Sequence, residues 1–187
     1  HSYFGLRKLA IQGSRFLIND QPVFQRLVLD QGFYPDGIYT APTDADLKRD
    51  IELSMAAGFN GARLHQKVFE PRFLYWADRL GYLVWGEYAD WGLNRESHEA
   101  LTYALDEWRS VLTRDRNHPA IIGWCPLNET RKDECHASAQ RLLAVTQTLD
   151  PTRPFLDTSG YVHLYPETDI YDCHDYNQDP KTFAERF

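Results

Sequence analysis

The chain has 187 residues and a formal net charge of −7, with 43% hydrophobic and 14% aromatic residues. That suits one ordinary domain or part of a large α/β domain, and the acidic balance, without any Lys/Arg cluster, argues against a nucleic-acid partner. No apolar stretch approaches the ~20 residues of a membrane span, and three cysteines (Cys125, Cys135 and Cys173) without a C-x-x-C pair argue against a disulfide framework or a zinc ribbon.

Three reduced, structural thiols are expected instead. No signal peptide is visible, and the chain does not begin with Met, so the sequence assigns no compartment.

Residues 1–20 show loose apolar alternation, Phe4 to Ile11 and then Phe16-Leu17-Ile18, with Gly13-Ser14 between. This predicts a β-hairpin, which must pack on something because a lone hairpin is barely stable. It reads as the exit from a preceding β domain. Residues 21–187 then repeat strand, loop and helix.

Val23–Leu29 is the first strand candidate, ending at Asp30. Thr43-Asp44-Ala45-Asp46 offers a capping box for a helix carrying Leu47, Ile51 and Met55, which Gly58 stops. Phe59–His65 is the second strand, and Glu70-Pro71 opens a helix ended by Gly81. Tyr82–Glu87 is the third. Ser97 caps a longer helix with Leu101, Leu105, Trp108 and Leu112 on one stripe.

His118-Pro119 breaks that helix and turns into a buried run, Ala120–Cys125, that leads to Asn128-Glu129. A helix near Asp133–Leu149 follows. Pro154–Thr158 and Ile170–His174 suggest a fifth and a sixth strand. Asp179-Pro180 looks like a final helix start.

Repeated βα units imply parallel strands. The expectation is an incomplete (β/α)8 TIM barrel with about six strands and a leading hairpin, since a complete barrel needs about 250 residues. A doubly wound open sheet is the alternative, but no strand is followed by a G-x-G-x-x-G turn.

The carboxyl ends of barrel strands carry the chemistry. Here those ends are Asp30, Arg63 with His65, Glu87, Asn128 with Glu129, Asp157, and His174 with Tyr176. Glycoside hydrolysis needs two carboxyl groups, one of them a proton donor, and Glu129 is the candidate donor. Asp90 and Trp91 follow the third strand. Trp91 and Trp124 are candidates for stacking on a sugar ring, although most aromatics are core. No metal is expected, because His163, His174 and Cys173 lack zinc-site spacing. His118 reads as structural.

These residues resemble glycoside hydrolase family 2, the β-galactosidase and β-glucuronidase family. Five blocks carry the resemblance in order: Phe4–Arg7; Phe16–Val23; Asp50 with Gly58-Phe59-Asn60 and Arg63; Asp78–Glu87; and Arg116–Glu129. The resemblance implies a retaining exo-β-glycosidase, β-galactosidase-like, without a cofactor. Glu129 would be the acid/base, and Asn128 would bond the sugar 2-hydroxyl. Arg63, His65, Glu87, Asp90, Trp91, Trp124, His174 and Tyr176 would line the substrate site.

The family's nucleophile, a Glu at the end of the seventh strand, is expected to lie beyond this chain. The expected partners are a carbohydrate substrate, flanking β-sandwich domains and the remainder of the barrel. Other barrel β-glycosidases (β-glucuronidase, β-mannosidase, endo-glycanase) are the alternative, as is an inactive carbohydrate-binding or structural fragment. Arg63-Leu64-His65-Gln66 departs from the Arg-x-Ser-His of family β-galactosidases, and Glu87–Trp91 lacks the family's magnesium-binding Glu-x-His.

Overall fold

A computed structural model describes residues 3–94, 96–130 and 136–186. It begins with an antiparallel sheet of three strands in sequence order: β1 (Leu9–Gln12), β2 (Arg15–Ile18) and β3 (Gln21–Pro22). The expected hairpin is present, turning at Gly13, whose φ is 58°. The turn into β3 places Asn19 and Asp20 at φ of 52° and 63°, a left-handed pair that these two residue types tolerate. The sheet therefore runs to Pro22, two residues past the boundary at residue 20 that the sequence suggested.

Each helix starts and stops for a local reason. In α1 (Asp44–Ala56) the Thr43 hydroxyl donates to the Asp46 carboxylate at 2.7 Å and accepts from its N–H at 3.3 Å, closing the first turn. In α2 (Pro71–Leu80) Pro71 opens the helix, and Gly81, at φ 71°, ends it. In α3 (His98–Asp115) Ser97 accepts from the Ala100 N–H at 3.2 Å. Two further helices are α4 (His136–Leu149) and α5 (Pro180–Arg186). The expected start of α4 at Asp133, and Cys135, lie outside the described residues. Met55, expected on the buried stripe of α1, is exposed; Leu47 and Ile51 alone carry that face inward.

Between the helices runs a parallel sheet in the order β4 (Leu27–Asp30), β5 (Gly61–Leu64), β6 (Leu83–Glu87) and β7 (Ile121–Cys125). Sequential parallel order with a helix in each crossover is the winding of a TIM barrel. The fifth segment continues it: Phe155 bridges Trp124 in parallel, and β8 (Leu127–Asn128) pairs with β9 (Thr158–Ser159). The sixth, Ile170–His174, forms no regular strand. It follows the fifth through single bonds, Asp169 N–H to Phe155 C=O at 3.0 Å and His174 N–H to Gly160 C=O at 3.3 Å.

The two faces of this curved sheet have different cores. The outer face packs Ile121 and Trp124 against helix residues such as Phe73, Trp108 and Leu142. The inner face gathers Leu27, Leu83, Trp85, Ile122, Leu156 and Ile170 with Leu9, Phe16 and Ile18 of the hairpin. The hairpin thus plugs the interior from the amino-terminal end of the strands. Arg7 reinforces it by donating to the Pro119 and Ile121 carbonyls. Around the same turn, Asp78 accepts from the Ala120 N–H at 2.8 Å and pairs with His118 Nδ1 at 2.6 Å. His118 is structural, as expected.

Candidate active site

Arg63 is the hub at the opposite, carboxyl-terminal end of the strands. From the end of β5 its Nε donates to Glu87 Oε2 at 2.7 Å, its Nη2 to Asn128 Oδ1 at 2.7 Å, and its Nη1 lies 3.3 Å from His174 Nε2. One planar guanidinium therefore ties together the ends of β6, β8 and the sixth segment, a use of its fixed fork that lysine does not offer. Glu87 is also held from the other side, by His65 Nδ1 at 2.7 Å and the Gln66 N–H at 3.1 Å. This buried carboxylate has no lone pair turned toward open space.

Glu129 is placed differently. It follows β8 at φ 48°, a left-handed conformation that costs a residue with a Cβ about 1–2 kcal/mol. The turn is held by its N–H donating to Ser159 C=O at 2.7 Å. Strain of this kind persists where the surroundings over-determine it, and it clusters at functional sites. Here it aims the side chain at His174 Nδ1, 2.6 Å from Oε1, and at the Tyr176 hydroxyl, which donates to the same oxygen at 2.7 Å. Gly160 makes room: a Cβ there would lie 3.0 Å from Glu129 Cγ and 3.2 Å from His174 Nδ1.

The Glu129 side chain keeps 27% of its surface open. Beside the network, a cleft of about 350 Å³ is lined by Arg63, His174 and Tyr176 and by the apolar β4 residues Leu27, Val28 and Leu29. The hydrogen bond from His174 holds the Glu129 carboxyl below its ordinary value; partial burial opposes this, and Tyr176 reinforces it. In return, Glu129 pushes the Tyr176 phenol up to about 12.

Of the residues expected to line the site, Arg63, Glu87, Asn128, Glu129, His174 and Tyr176 form one connected network. His65 joins it through Glu87 and packs edge-on against Trp91, ring centroids 5.0 Å apart. Trp91 is exposed, consistent with a stacking surface.

Two expectations are corrected. Trp124 is buried on the outer face, edge-on to Trp108, with its Nε1–H donating to Asp150 at 2.8 Å. Strand alternation points it away from the mouth, so no sugar reaches it. Asp90 is closed off beneath the site, where it accepts from the Gln66 side chain and from the Asn128 N–H at 3.5 Å. It braces the loops and faces no open space.

Asp157, another polar strand end, is buried and spent on the Leu164 and Tyr165 N–H groups at 2.5 and 3.1 Å. Cys173 lies exposed on the cleft wall rather than in a core, whereas Cys125 is buried as expected.

Sequence reasoning missed Gln66 and Ser159. Gln66 has φ 56°; its amide reaches Glu87 at 3.4 Å, and its carbonyl accepts from the Trp91 N–H at 2.9 Å. Ser159 sits between His174 Nε2 at 2.9 Å and Asp172 at 2.5 Å. The Gly160 that follows was the available signal, a breaker directly after a strand end.

The comparisons with known proteins follow the same frame. A family model described as glycosyl hydrolases family 2, TIM barrel domain, matches residues 9–175. Human β-glucuronidase is 28% identical over 174 residues, 84% of this chain and 25% of that protein. The β-D-glucuronidase of Dictyoglomus thermophilum superposes with a TM-score of 0.73 at 26% identity, over 81% of this chain and 28% of that one. A β-glucuronidase from Ruminococcus gnavus in complex with D-glucuronic acid gives 0.75 at 26%, over 81% and 27%.

The chain spans about a quarter of the length of the human relative. These relatives are β-glucuronidases, which supports the alternative expectation better than the β-galactosidase-like one. The matched residues run from the hairpin plug through every parallel strand to the segment that carries His174 against Glu129, and the chain belongs to the glycosyl hydrolases of family 2, in their TIM barrel domain.

Proposed function

We propose that this chain supplies the general acid/base of a retaining β-glycosidase, with Glu129 in that role and a terminal β-glucuronide as the substrate class. The observation that carries the reading is the placement of Glu129. It is a carboxylate turned by a left-handed backbone onto the open end of a parallel barrel, partly exposed and held on one oxygen. The sugar class rests on the relatives, all β-glucuronidases among those named above.

In the first step Glu129 gives its proton to the glycosidic oxygen as a second carboxylate attacks the anomeric carbon. In the second it takes a proton from the water that releases the sugar. Glu87 is not that second carboxylate, because Arg63 and His65 occupy it in a buried position. The remainder of the barrel supplies the nucleophile, about 5–5.5 Å from Glu129 as retention requires. Its negative charge would raise the Glu129 carboxyl against the pull of His174. In this reading Asn128, whose Oδ1 accepts from Arg63 at 2.7 Å, bonds the sugar 2-hydroxyl. The proposed partners are a carbohydrate substrate, flanking β-sandwich domains and the rest of the barrel.

The test is Glu129→Gln in the full-length protein, assayed on phenyl and 2,4-dinitrophenyl β-glucuronides with the galactosides and mannosides alongside. A proton donor matters most for the poor phenol leaving group, so kcat/KM there should fall by about 10²–10⁴-fold, and far less for dinitrophenol. Equal losses on both aglycones would sink the acid/base assignment. A wild-type preference for galactoside or mannoside would sink the sugar class alone.

A further inference from the structure

We propose that His174 is a positioning residue that, with Ser159 and Asp172 behind it, biases Glu129 toward the ionised form and so favours the base half of its cycle. The inference rests on the acid/base reading of Glu129 and adds to it which residues set the balance between the two halves.

The geometry is a chain of bonds. Glu129 Oε1 meets His174 Nδ1 at 2.6 Å, and His174 Nε2 meets Ser159 Oγ at 2.9 Å. Ser159 Oγ meets Asp172 Oδ2 at 2.5 Å. Asp172 is itself fixed by the Gly160 N–H at 3.0 Å and, through its backbone, by His163 at 2.8 Å. Each link is directional. An ionised Asp172 only accepts, so the single Ser159 proton points to it. Ser159 then offers His174 Nε2 a lone pair, which asks for a proton on that nitrogen. At Nδ1 an ionised Glu129 asks for a proton as well. An imidazolium satisfies both requests.

Arg63 opposes this, with its Nη1 3.3 Å from the same Nε2. Its N–H suits a neutral ring that accepts at Nε2 and donates at Nδ1. In both states Nδ1 carries a proton toward Glu129. Among the described residues, two phenols also face the imidazole: Tyr161, whose ring lies 5.8 Å away, and Tyr176, at 6.1 Å. With the Nδ1–H donor fixed in place, Glu129 loses its proton more readily than a solvated carboxyl does, in keeping with its lowered pKa.

An acid/base has to be protonated in the first step and ionised in the second. A fixed donor slows the first and speeds the second. This matters because Glu129 must give up its proton while the nucleophile beside it is neutralised as the glycosyl ester, and must accept one again from water. His174 keeps one lone pair of Glu129 occupied throughout.

The experiment compares wild type with His174→Leu, His174→Asn and Ser159→Ala in the full-length enzyme, by pH profile on two aryl β-glucuronides. On the 2,4-dinitrophenyl substrate the first step needs no acid, so kcat reports the base step and its acid limb reports Glu129. On the phenyl substrate the alkaline limb of kcat/KM reports Glu129 as acid. For His174→Leu both limbs should move to higher pH. His174→Asn keeps an N–H near the Nδ1 position and should move them less. Ser159→Ala, which leaves His174 in place, should move them in the same direction by the least.

A uniform drop in amplitude with unmoved limbs would leave His174 as packing only and overturn the inference. Glu129→Ala is run in parallel: if azide does not restore its turnover of the dinitrophenyl substrate, it is the acid/base reading that fails, whatever His174 does.

Discussion

Arg153 and Arg63 stand at opposite ends of the same parallel sheet, and each gathers partners from three segments. Arg153, at the amino-terminal end, donates to the Ile121 and His118 carbonyls at 2.7 and 2.8 Å and pairs with Asp150 at 2.6 Å. Its bonds go to two carbonyls and to the Asp150 and Thr152 side chains, its own side chain is only 6% exposed, and it lines a groove of about 310 Å³ with Leu9, Pro154 and Asp169. The Arg63 guanidinium bonds side chains of the described residues, and those lead within two contacts to a partly exposed carboxylate.

The left-handed residues divide in the same way. At the plugged end they are Asn19 and Asp20, types that accept the conformation readily. At the mouth they are Ile38, Gln66 and Glu129, which do not. One end uses polar groups to close the fold. The other tolerates strain to hold polar groups open, the division expected between the two faces of a TIM barrel.

The comparison is broken most directly by removing one acidic group from each end. Glu129→Gln should cost the full-length enzyme about 10²–10⁴-fold in kcat/KM on a poor leaving group, with a urea midpoint within experimental error of wild type. Asp150→Ala should do the reverse. It leaves the Arg153 guanidinium without its carboxylate and the Trp124 Nε1–H without its acceptor, a loss of about 3–5 kcal/mol in denaturant titration. Catalytic constants of the folded fraction should be unchanged. If Asp150→Ala lowered kcat/KM while leaving stability intact, the division of labour would be wrong.

Smaller effects sharpen it. Gly86 lies one residue before Glu87, yet a Cβ there would run into the Trp124 ring. Gly86→Ala should therefore destabilise by overpacking, about 1–3 kcal/mol by thermal or chemical melt.

Stability should also depend on pH in opposite senses at two groups. Burial pushes the Asp150 carboxyl up, but the bonds from Thr152, Trp124 and Arg153 together outweigh it and leave it below its ordinary value. Its stabilising contribution is complete above about pH 4 and is lost as pH falls through the lowered value. His163 is the reverse. Burial lowers it, but Asp172 and Asp157 more than compensate and raise it. Its contribution is complete below about pH 6.5 and is lost as pH rises through the raised value. Urea midpoints against pH should show both slopes, the first absent in Asp150→Asn and the second in His163→Asn.

The smallest change is Trp91→Ala. An exposed ring beyond the core should alter stability by no more than about 0.5 kcal/mol. KM for aryl glucuronides should rise severalfold if the ring stacks on the substrate, and an unchanged KM would remove Trp91 from the site.

Much of this architecture was legible in the residues. Apolar runs of four to six residues bounded by Gly, Pro and caps located four parallel strands. The pairs Thr43/Asp46 and Pro71/Gly81 set helix ends through contacts within a few positions of each other. The sixth strand was over-read. Ile170–His174 has a strand's composition, but its backbone bonds go singly to the fifth segment, and no local pattern encodes that. Glu129 was legible because Asn-Glu closes a buried run. His174 and Tyr176 were legible only as polar strand ends, and Ser159 not at all.

What the sequence determined by itself is what short-range physics controls: periodicity, caps, turns, the βα order, and a carboxylate at a strand end. It also supplied a family resemblance that named Glu129. What tertiary structure alone decided is which polar residues face one another. Trp124 and Glu87 both lie at the carboxyl-terminal ends of strands. Alternation sends the tryptophan outward onto Trp108, while Glu87 is taken up by Arg63 and His65. Residues 45 positions apart, Glu129 and His174, meet because two segments run side by side in one curved sheet. Proximity of that kind follows from closure of the backbone, and the spacing of residues along the chain carries no record of it.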